Sequence, residues 1–303
     1  MRHIYVVNPK AGGHDQSKEI ALQLQGLRVE TEMYVTQGPR DATAYVSHLC
    51  RTEAEPLRFY TCGGDGTMNE VVSGIMEAGR TDVAAGIYPC GSGNDYVKSW
   101  PNADFSNLNT MLEAPVQAVD VLRINCLEET RYSLNVMNFG FEAEVCRTMN
   151  YARRWPLVGG HNAYIIGILH CLLCAMHNPC HITVDGEEWH GGNLLLASAA
   201  NGRFVGGGFQ CAPRAVVDDG LLEMLCMDSV NLLQFAKIIG LYRKGKHLDH
   251  PELGHLIHYC RGCTACFDSN RDFSIVVDGE LIRGCHFELE CLPQAMRFIV
   301  PQT

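Results

Sequence analysis

Leu57-Arg58-Phe59-Tyr60-Thr61-Cys62-Gly63-Gly64-Asp65-Gly66-Thr67-Met68-Asn69-Glu70 is the stretch that decides how this 303-residue chain is read. Leu57 to Cys62 is a short apolar run of strand type, and Asn69 to Met76 continues with helical spacing. Between them lies a turn of three glycines, an aspartate and a threonine. A tight strand-to-helix turn needs one or two glycines but has no use for Asp65 and Thr67 among them. Such a turn presents free backbone N–H groups and the positive end of a helix dipole, which suits phosphate. Its glycines let the backbone approach a ligand without a Cβ clash. Gly63, Gly64, Asp65, Gly66 and Thr67 are therefore a candidate phosphate loop.

The same unit recurs on both sides. His3 to Val7 reads as a strand that enters the turn Asn8-Pro9-Lys10-Ala11-Gly12-Gly13, followed by a helical stretch with Ile20, Leu24 and Leu27. Val29 to Thr36 alternates like a strand, and Asp41 to Leu49 reads as a helix. Val83 to Tyr88 is the next strand, running into Pro89-Cys90-Gly91-Ser92-Gly93-Asn94-Asp95-Tyr96. Repeated strand, turn and helix predict a parallel sheet covered by helices. In such sheets ligands collect at the carboxyl ends of the strands, where all three turns fall. Taken alone, the turn ending in Asn94-Asp95 is equally a helix N-cap; its place one unit after Gly63–Thr67 gives it weight. None of the three matches GxxxxGK[ST] or GxGxxG, so neither a P-loop nor a Rossmann site is indicated.

From about Val119 short β-like runs take over: Val119 to Asn125, Tyr132 to Phe139, His181 to Val184, Gly192 to Ala199, Leu221 to Met227 and Ser274 to Val277. Helices are expected near 161–177 and 230–243. This pattern predicts an antiparallel sandwich or barrel after the α/β half. The length accommodates two domains, and no Pro-, Gly- or Ser-rich linker separates them. Asp278-Gly279-Glu280 follows one apolar run and Asp185-Gly186-Glu187 another. Both read as hairpin turns, and the residues alone do not choose between them as the source of a catalytic carboxylate. Ala212 to Leu222 contains Asp218-Asp219. It reads either as a turn or as a Mg²⁺ site of carboxylate and backbone carbonyls.

A net charge of -10 argues against nucleic acid as a partner. The start, MRHIYVVNPKAGG, shows no signal-peptide pattern. Ala163 to Met176 falls short of the ~20 apolar residues that span a bilayer. With 15 cysteines expected to be reduced thiols, the chain reads as cytoplasmic. Cys260, Cys263 and Cys266, with His255 and His258 upstream, raise the question of a metal. No second CxxC lies at zinc-finger distance, however. Arg243, Lys244, Lys246 and His247 follow an amphipathic run and read as a solvated helix end, with contact to an anionic membrane as the alternative.

Taken in order, NPKAGG, GGDGTMNEV, PCGSGNDY, APRAVVDDGLL and VVDGE resemble the landmarks of the diacylglycerol-kinase catalytic family, above all its compact bacterial lipid kinases. GGDG alone is shared with NAD kinases; its combination with GSGNDY is specific, and the landmarks span residues 8 to 280. The resemblance implies an α/β nucleotide domain over 1–118, rejoined by about 290–303, and a β-sandwich-like acceptor domain over 119–289, with the active site in the cleft. It implies Mg²⁺-dependent transfer of the ATP γ-phosphate to a hydroxyl of diacylglycerol or a related lipid at a membrane surface, with peripheral membrane association and a homodimer left open. Gly63 to Asn69 would cradle the ATP phosphates with Asn8, Lys10 and Gly12, while Thr36, Ser92 and Asn94 would contact the nucleotide. The family often has Thr where Ser92 stands, and Ser keeps the hydroxyl. Asp65 and Asp95 would organise the catalytic Mg²⁺. Glu280 matches the catalytic base, which selects the later Asp-Gly-Glu. Asp219, with the carbonyls of Val216 and Leu221, resembles a structural Mg²⁺ site. Two other readings stand beside this one. For an NAD kinase, the separate NExD-type motif is missing. A non-catalytic lipid- or nucleotide-binding protein would not need the intact set of Asp65, Asp95 and Glu280.

Overall fold

The computed structural model describes residues 1–127, 129–152, 155 and 160–302. The first part runs β1 (Arg2–Val7), α1 (Ser17–Gln25), β2 (Glu32–Val35), α2 (Asp41–Thr52), β3 (Leu57–Gly63), α3 (Asp65–Ala78) and β4 (Ala84–Pro89). The four strands lie side by side in the order β4-β3-β1-β2, and each adjacent pair is parallel. β1 and β3 are buried along most of their length because helices cover the sheet, which is why they read as unbroken apolar runs. α3 buries Met68, Val71, Val72 and Ile75 at helical spacing, and it ends at Gly79, whose φ of 69° is left-handed.

A short helix, α4 (Leu108–Glu113), leads into the second part: β5 (Val116–Cys126), β6 (Glu129–Ser133), β7 (Val136–Gly140), α5 (Phe141–Ala152), α6 (Gly160–Cys174), β8 (Asn178–Val184), β9 (Glu187–Ala200), β10 (Leu222–Asp228), α7 (Leu232–Arg243), β11 (Ile257–Gly262), β12 (Thr264–Val277) and β13 (Glu280–Ile299). These strands pair antiparallel with one another. One apolar core fills the space between them; a second lies between strands and the helices α5, α6 and α7. The mixed α/β first part and sandwich-like second part are as the sequence predicts.

β13 joins the two parts. It pairs antiparallel with β12 and β5, and its last residues run parallel to β4 through Arg297↔Ala84 and Phe298↔Ala85. Phe298 is fully buried; Trp100 stacks on it at 5.6 Å and Tyr96 meets it edge-on at 5.0 Å. Each such pair contributes about 0.5–1.5 kcal/mol beyond its buried area.

One expectation needs correction, and two elements were not expected. Tyr132 to Phe139 is not one strand: the chain bends at Leu134–Asn135, where the Asn135 side chain donates to the Phe204 carbonyl and its backbone N–H to Ser133 Oγ. α5 has no counterpart among the sequence expectations, although Phe141, Val145 and Ala152 are buried at helical spacing. Of the twenty-residue β13, the expectations contain only the return over about 290–303, and that as what the family resemblance implies.

Candidate active site

Three loops leave the carboxyl ends of β1, β3 and β4 and interlock. A Cβ on Gly12, where φ is 64°, would stand 2.4 Å from the Cys90 carbonyl oxygen, and one on Gly91 would stand 2.4 Å from Gly64 Cα. Only glycine permits these approaches. Asn8 donates to Thr67 Oγ1 at 3.0 Å, which joins the first loop to the second. Asp65 joins the second to the third: its carboxylate accepts the backbone N–H groups of Asp95 and Tyr96 at 2.8–3.0 Å. Burial pushes the Asp65 carboxyl above its usual range against those hydrogen bonds, and the charge of Asp95 adds to the rise.

Asp95 crosses to the second part. Lys98 donates to its Oδ1 at 2.6 Å and the Gly207 N–H to its Oδ2 at 2.8 Å. Lys98 carries no signal in the sequence beyond its place three residues after Asp95. Asp65 and Asp95 converge: a Cβ on Gly93 would stand 3.1 Å from Asp65 Oδ2 and 3.3 Å from Asp95 Oδ2. Carboxylate oxygens are the hard donors Mg²⁺ takes, and these two, each also accepting a backbone N–H, lie near one another beside Gly93.

The two Asp-Gly-Glu sites form the same turn, with positive φ at both Asp and Gly (51° and 82° at Asp185 and Gly186, 46° and 91° at Asp278 and Gly279). Their surroundings differ. Asp185 accepts the N–H groups of Cys263 and Thr264 beside exposed Glu187. Glu280 lines the central cavity, 3.7 Å from the Arg131 guanidinium. Asp278 accepts Ser133 Oγ–H at 2.7 Å and Asn69 Nδ2–H at 3.0 Å, and burial pushes its carboxyl up to about 7. It ties α3 to the second part through these hydrogen bonds, whereas Glu280, of the two acidic residues in this turn, pairs only with Arg131 among the described residues.

That cavity, of about 860 Å³, brings together Asn8, Lys10, Gly12, Thr36, Gly64, Asp65, Gly66, Thr67, Ser92, Asp95 and Glu280. Gly63, Asn69 and Asn94 stand just behind it. Asn94 exchanges hydrogen bonds with Gly91 and closes the third loop; Asn69 faces Asp278. Val216, Asp219 and Leu221 lie elsewhere. Asp219 Oδ1 accepts the Leu221 N–H and Oδ2 is bound by Arg261, so a cation arriving there has to displace a guanidinium. Cys260, Cys263 and Cys266 do not converge: they lie on β11, at the following turn and on β12. Among the described residues, no group of metal-ligand size contains two of them.

Beyond the polar loops the cavity continues as an apolar arm between α5, α6, α7 and the sheet, lined by Phe141, Val145, Met149, Ile168, Phe235 and Ile239. The sequence does not show this arm, because it is assembled from three separate helices. Glu142 stands in its wall. Tyr242 donates to Glu142 Oε1 at 3.0 Å, and Oε2 has no partner among the described residues. Burial, opposed by the Tyr242 hydrogen bond and reinforced by Asp95, pushes this carboxyl up to about 7. The folded chain thus keeps a proton on Glu142 between about 4.5 and about 7, where the unfolded chain releases it. Stability falls as pH rises through that window. Glu142→Gln is expected to raise unfolding free energy at pH 8 by at most on the order of 3 kcal/mol and to leave it unchanged below pH 4.5. Urea midpoints of the two proteins at the two pH values check this.

Glycine-rich loops at a parallel sheet edge, carrying Asp65 and Asp95 and sharing a cavity with Glu280, suit phosphoryl transfer. The comparisons agree. Residues 2–124 match the diacylglycerol kinase catalytic domain, and residues 135–300 match the YegS C-terminal NAD kinase beta sandwich-like domain. The chain is 31% identical over 254 residues to a YegS-like probable lipid kinase of Chromohalobacter salexigens, covering 83% of this chain and 78% of that protein. It is 28% identical over 304 residues to its counterpart in Enterobacter sp. (strain 638), covering 98% and 95%. Among solved structures, a diacylglycerol kinase from Bacillus anthracis str. Sterne has the same fold, with a TM-score of 0.69 at 19% identity over 99% of this chain and 96% of that one. More distant is an NAD kinase from Archaeoglobus fulgidus in complex with ATP, with a TM-score of 0.52 at 14% identity over 99% and 94%. The chain belongs to the family that joins a diacylglycerol kinase catalytic domain to a YegS-type sandwich, and it is a kinase.

Proposed function

We propose that this kinase transfers the γ-phosphate of ATP to a hydroxyl of diacylglycerol or a related lipid, with Mg²⁺, while docked on a membrane surface. The observation that carries the reading is the continuity of the cavity: the polar mouth of glycine loops and carboxylates opens directly into an arm walled by hydrocarbon side chains. A lipid needs both halves, its hydroxyl at the carboxylates and its chain in the arm. A nicotinamide dinucleotide offers no hydrocarbon to fill the arm.

The roles follow from position. Backbone N–H groups of the loops and Lys10 hold the phosphates. Mg²⁺ bound by Asp65 and Asp95 would neutralise charge on the transferred group. Glu280 accepts the proton of the acceptor hydroxyl as its oxygen attacks the γ-phosphorus and ADP leaves. Asp278 is less suited to that task, since its Oδ2 already accepts both Ser133 and Asn69, and Oδ1 faces the Val136 N–H at 3.5 Å.

Membrane contact is supported by an apolar stripe beside the arm. Ile165, Leu169 and Leu173 recur every fourth residue on α6 and are 41%, 57% and 80% exposed; Leu233 at the start of α7 is 79% exposed. Arg243, Lys244 and Lys246 are exposed at the other end of α7, whereas His247 turns inward against Tyr242. Among the described residues no helix is long and apolar enough to cross a membrane. Activity on diacylglycerol is therefore expected to rise when the lipid is carried in anionic vesicles. It should fall with added salt, each basic residue contributing about 1 kcal/mol near such a surface. Leu169→Asp/Leu173→Asp is expected to lower the vesicle activity at least tenfold and to spare a water-soluble short-chain acceptor. Full activity on NAD with no response to vesicles overturns the reading.

A further inference from the structure

Outside the residues that line the cavity, His190 on β9, Asp228 at the end of β10 and His258 on β11 hold their ligand atoms within 4.8 Å of one another. His190 Nε2 is 3.3 Å from Asp228 Oδ1, and His258 Nε2 is 3.2 Å from Asp228 Oδ2. The imidazole rings approach to 4.7 Å between centroids. Zinc in a tetrahedral site takes nitrogen and oxygen ligands at about 2.0–2.2 Å, which places neighbouring ligand atoms about 3.3–3.6 Å apart. Each imidazole nitrogen is already close to that edge length from a carboxylate oxygen, His190 from Oδ1 and His258 from Oδ2, so a small turn of the Asp228 carboxylate brings one oxygen to both.

We propose that His190, Asp228 and His258 form a binding site for a divalent transition metal, zinc first, with its fourth position open to water. Two imidazoles and one carboxylate match zinc and its borderline neighbours, whereas Mg²⁺ and Ca²⁺ take oxygen ligands. Access is built in: the His258 and Asp228 side chains are 38% and 33% exposed, while His190 is 14% exposed and anchors the group. The strand geometry prepares it as well. The β9–β10 register slips between Met227 and Asp228, and such a slip re-aims the side chain at the irregularity. β11 is the last strand of the sheet path and is held there by β10, so a metal on these three residues pins the edge strand to two inner ones. The site accounts for His258, which the sequence places beside Cys260, Cys263 and Cys266, without using a thiol.

The test is calorimetric titration of ZnCl₂ into the full reduced chain, compared with His190→Ala/His258→Ala. Zinc also binds exposed thiols, so the difference between the two proteins is the readout. The wild type is expected to bind one more zinc than the double variant, with micromolar or tighter affinity. Zinc should raise its melting temperature by several degrees, a rise the variant loses; MgCl₂ should produce neither effect. Cobalt at the extra site is expected to absorb without a sulfur-to-metal charge-transfer band. Circular dichroism confirms that the variant is folded, and if it is not, His258→Gln alone serves because that side chain is partly exposed. Equal zinc stoichiometry and equal thermal shift in wild type and variant overturn the proposal, as does a thiolate band on the extra cobalt. None of these readouts depends on kinase activity.

Discussion

Glu280→Gln is expected to lower turnover by about a hundredfold or more, with the KM for ATP close to wild type, because losing a general base commonly has that cost. The isosteric amide keeps the shape of the turn. It removes only the carboxylate that faces the cavity beside Arg131. Glu187→Gln makes the same change in the same type of turn, away from the cavity, and is expected to be silent. Steady-state rates of the two variants side by side test the assignment. A silent Glu280→Gln or a crippled Glu187→Gln contradicts it.

Asp65 separates architecture from chemistry. Its carboxylate accepts two backbone N–H groups of the third loop and shares the space around Gly93 with Asp95. Asp65→Ala leaves both buried N–H groups unpaired, each at a cost of about 1–3 kcal/mol. That variant is expected to lose activity and to melt several degrees lower. Asp65→Asn keeps an oxygen for the loop but removes the charge a Mg²⁺ ion requires. Its turnover is expected to fall about a hundredfold or more while its melting temperature stays close to that of wild type. Turnover and thermal melts measured on both variants check this. An Asn variant with wild-type turnover removes the metal-binding role from Asp65.

The parallel half of the fold was legible because every βα unit carries its own punctuation: an apolar strand, a glycine turn, an amphipathic helix. The loops that carry the chemistry are contiguous there, so Asn8, Gly63–Thr67 and Ser92–Asp95 could be picked out one stretch at a time. The second half resists such reading because its site is assembled from distant segments. Asp278 meets Asn69 and Ser133 across 209 and 145 positions of chain, and neither pairing leaves a local trace. The apolar arm is invisible for the same reason, since Phe141, Ile168 and Phe235 look like ordinary core residues until α5, α6 and α7 are placed together. Identical local chemistry is also uninformative: Asp185-Gly186-Glu187 and Asp278-Gly279-Glu280 form the same turn, and it took the order of the family's landmarks to select the later one. Asp95 shows a subtler limit. The family resemblance marks it as a candidate Mg²⁺ ligand, but not that it also receives Lys98 and the Gly207 N–H and so helps hold the two halves at the cleft.

The central claim is that one cavity joins a nucleotide-phosphate cradle to a lipid arm. It is tested most directly by following label from γ-³²P-ATP supplied with Mg²⁺, diacylglycerol in mixed micelles and NAD in the same reaction. The account expects the label in the organic-solvent-extractable phospholipid fraction, absent when Glu280→Gln replaces the wild type. Label appearing in NADP, with none in the lipid fraction, contradicts it.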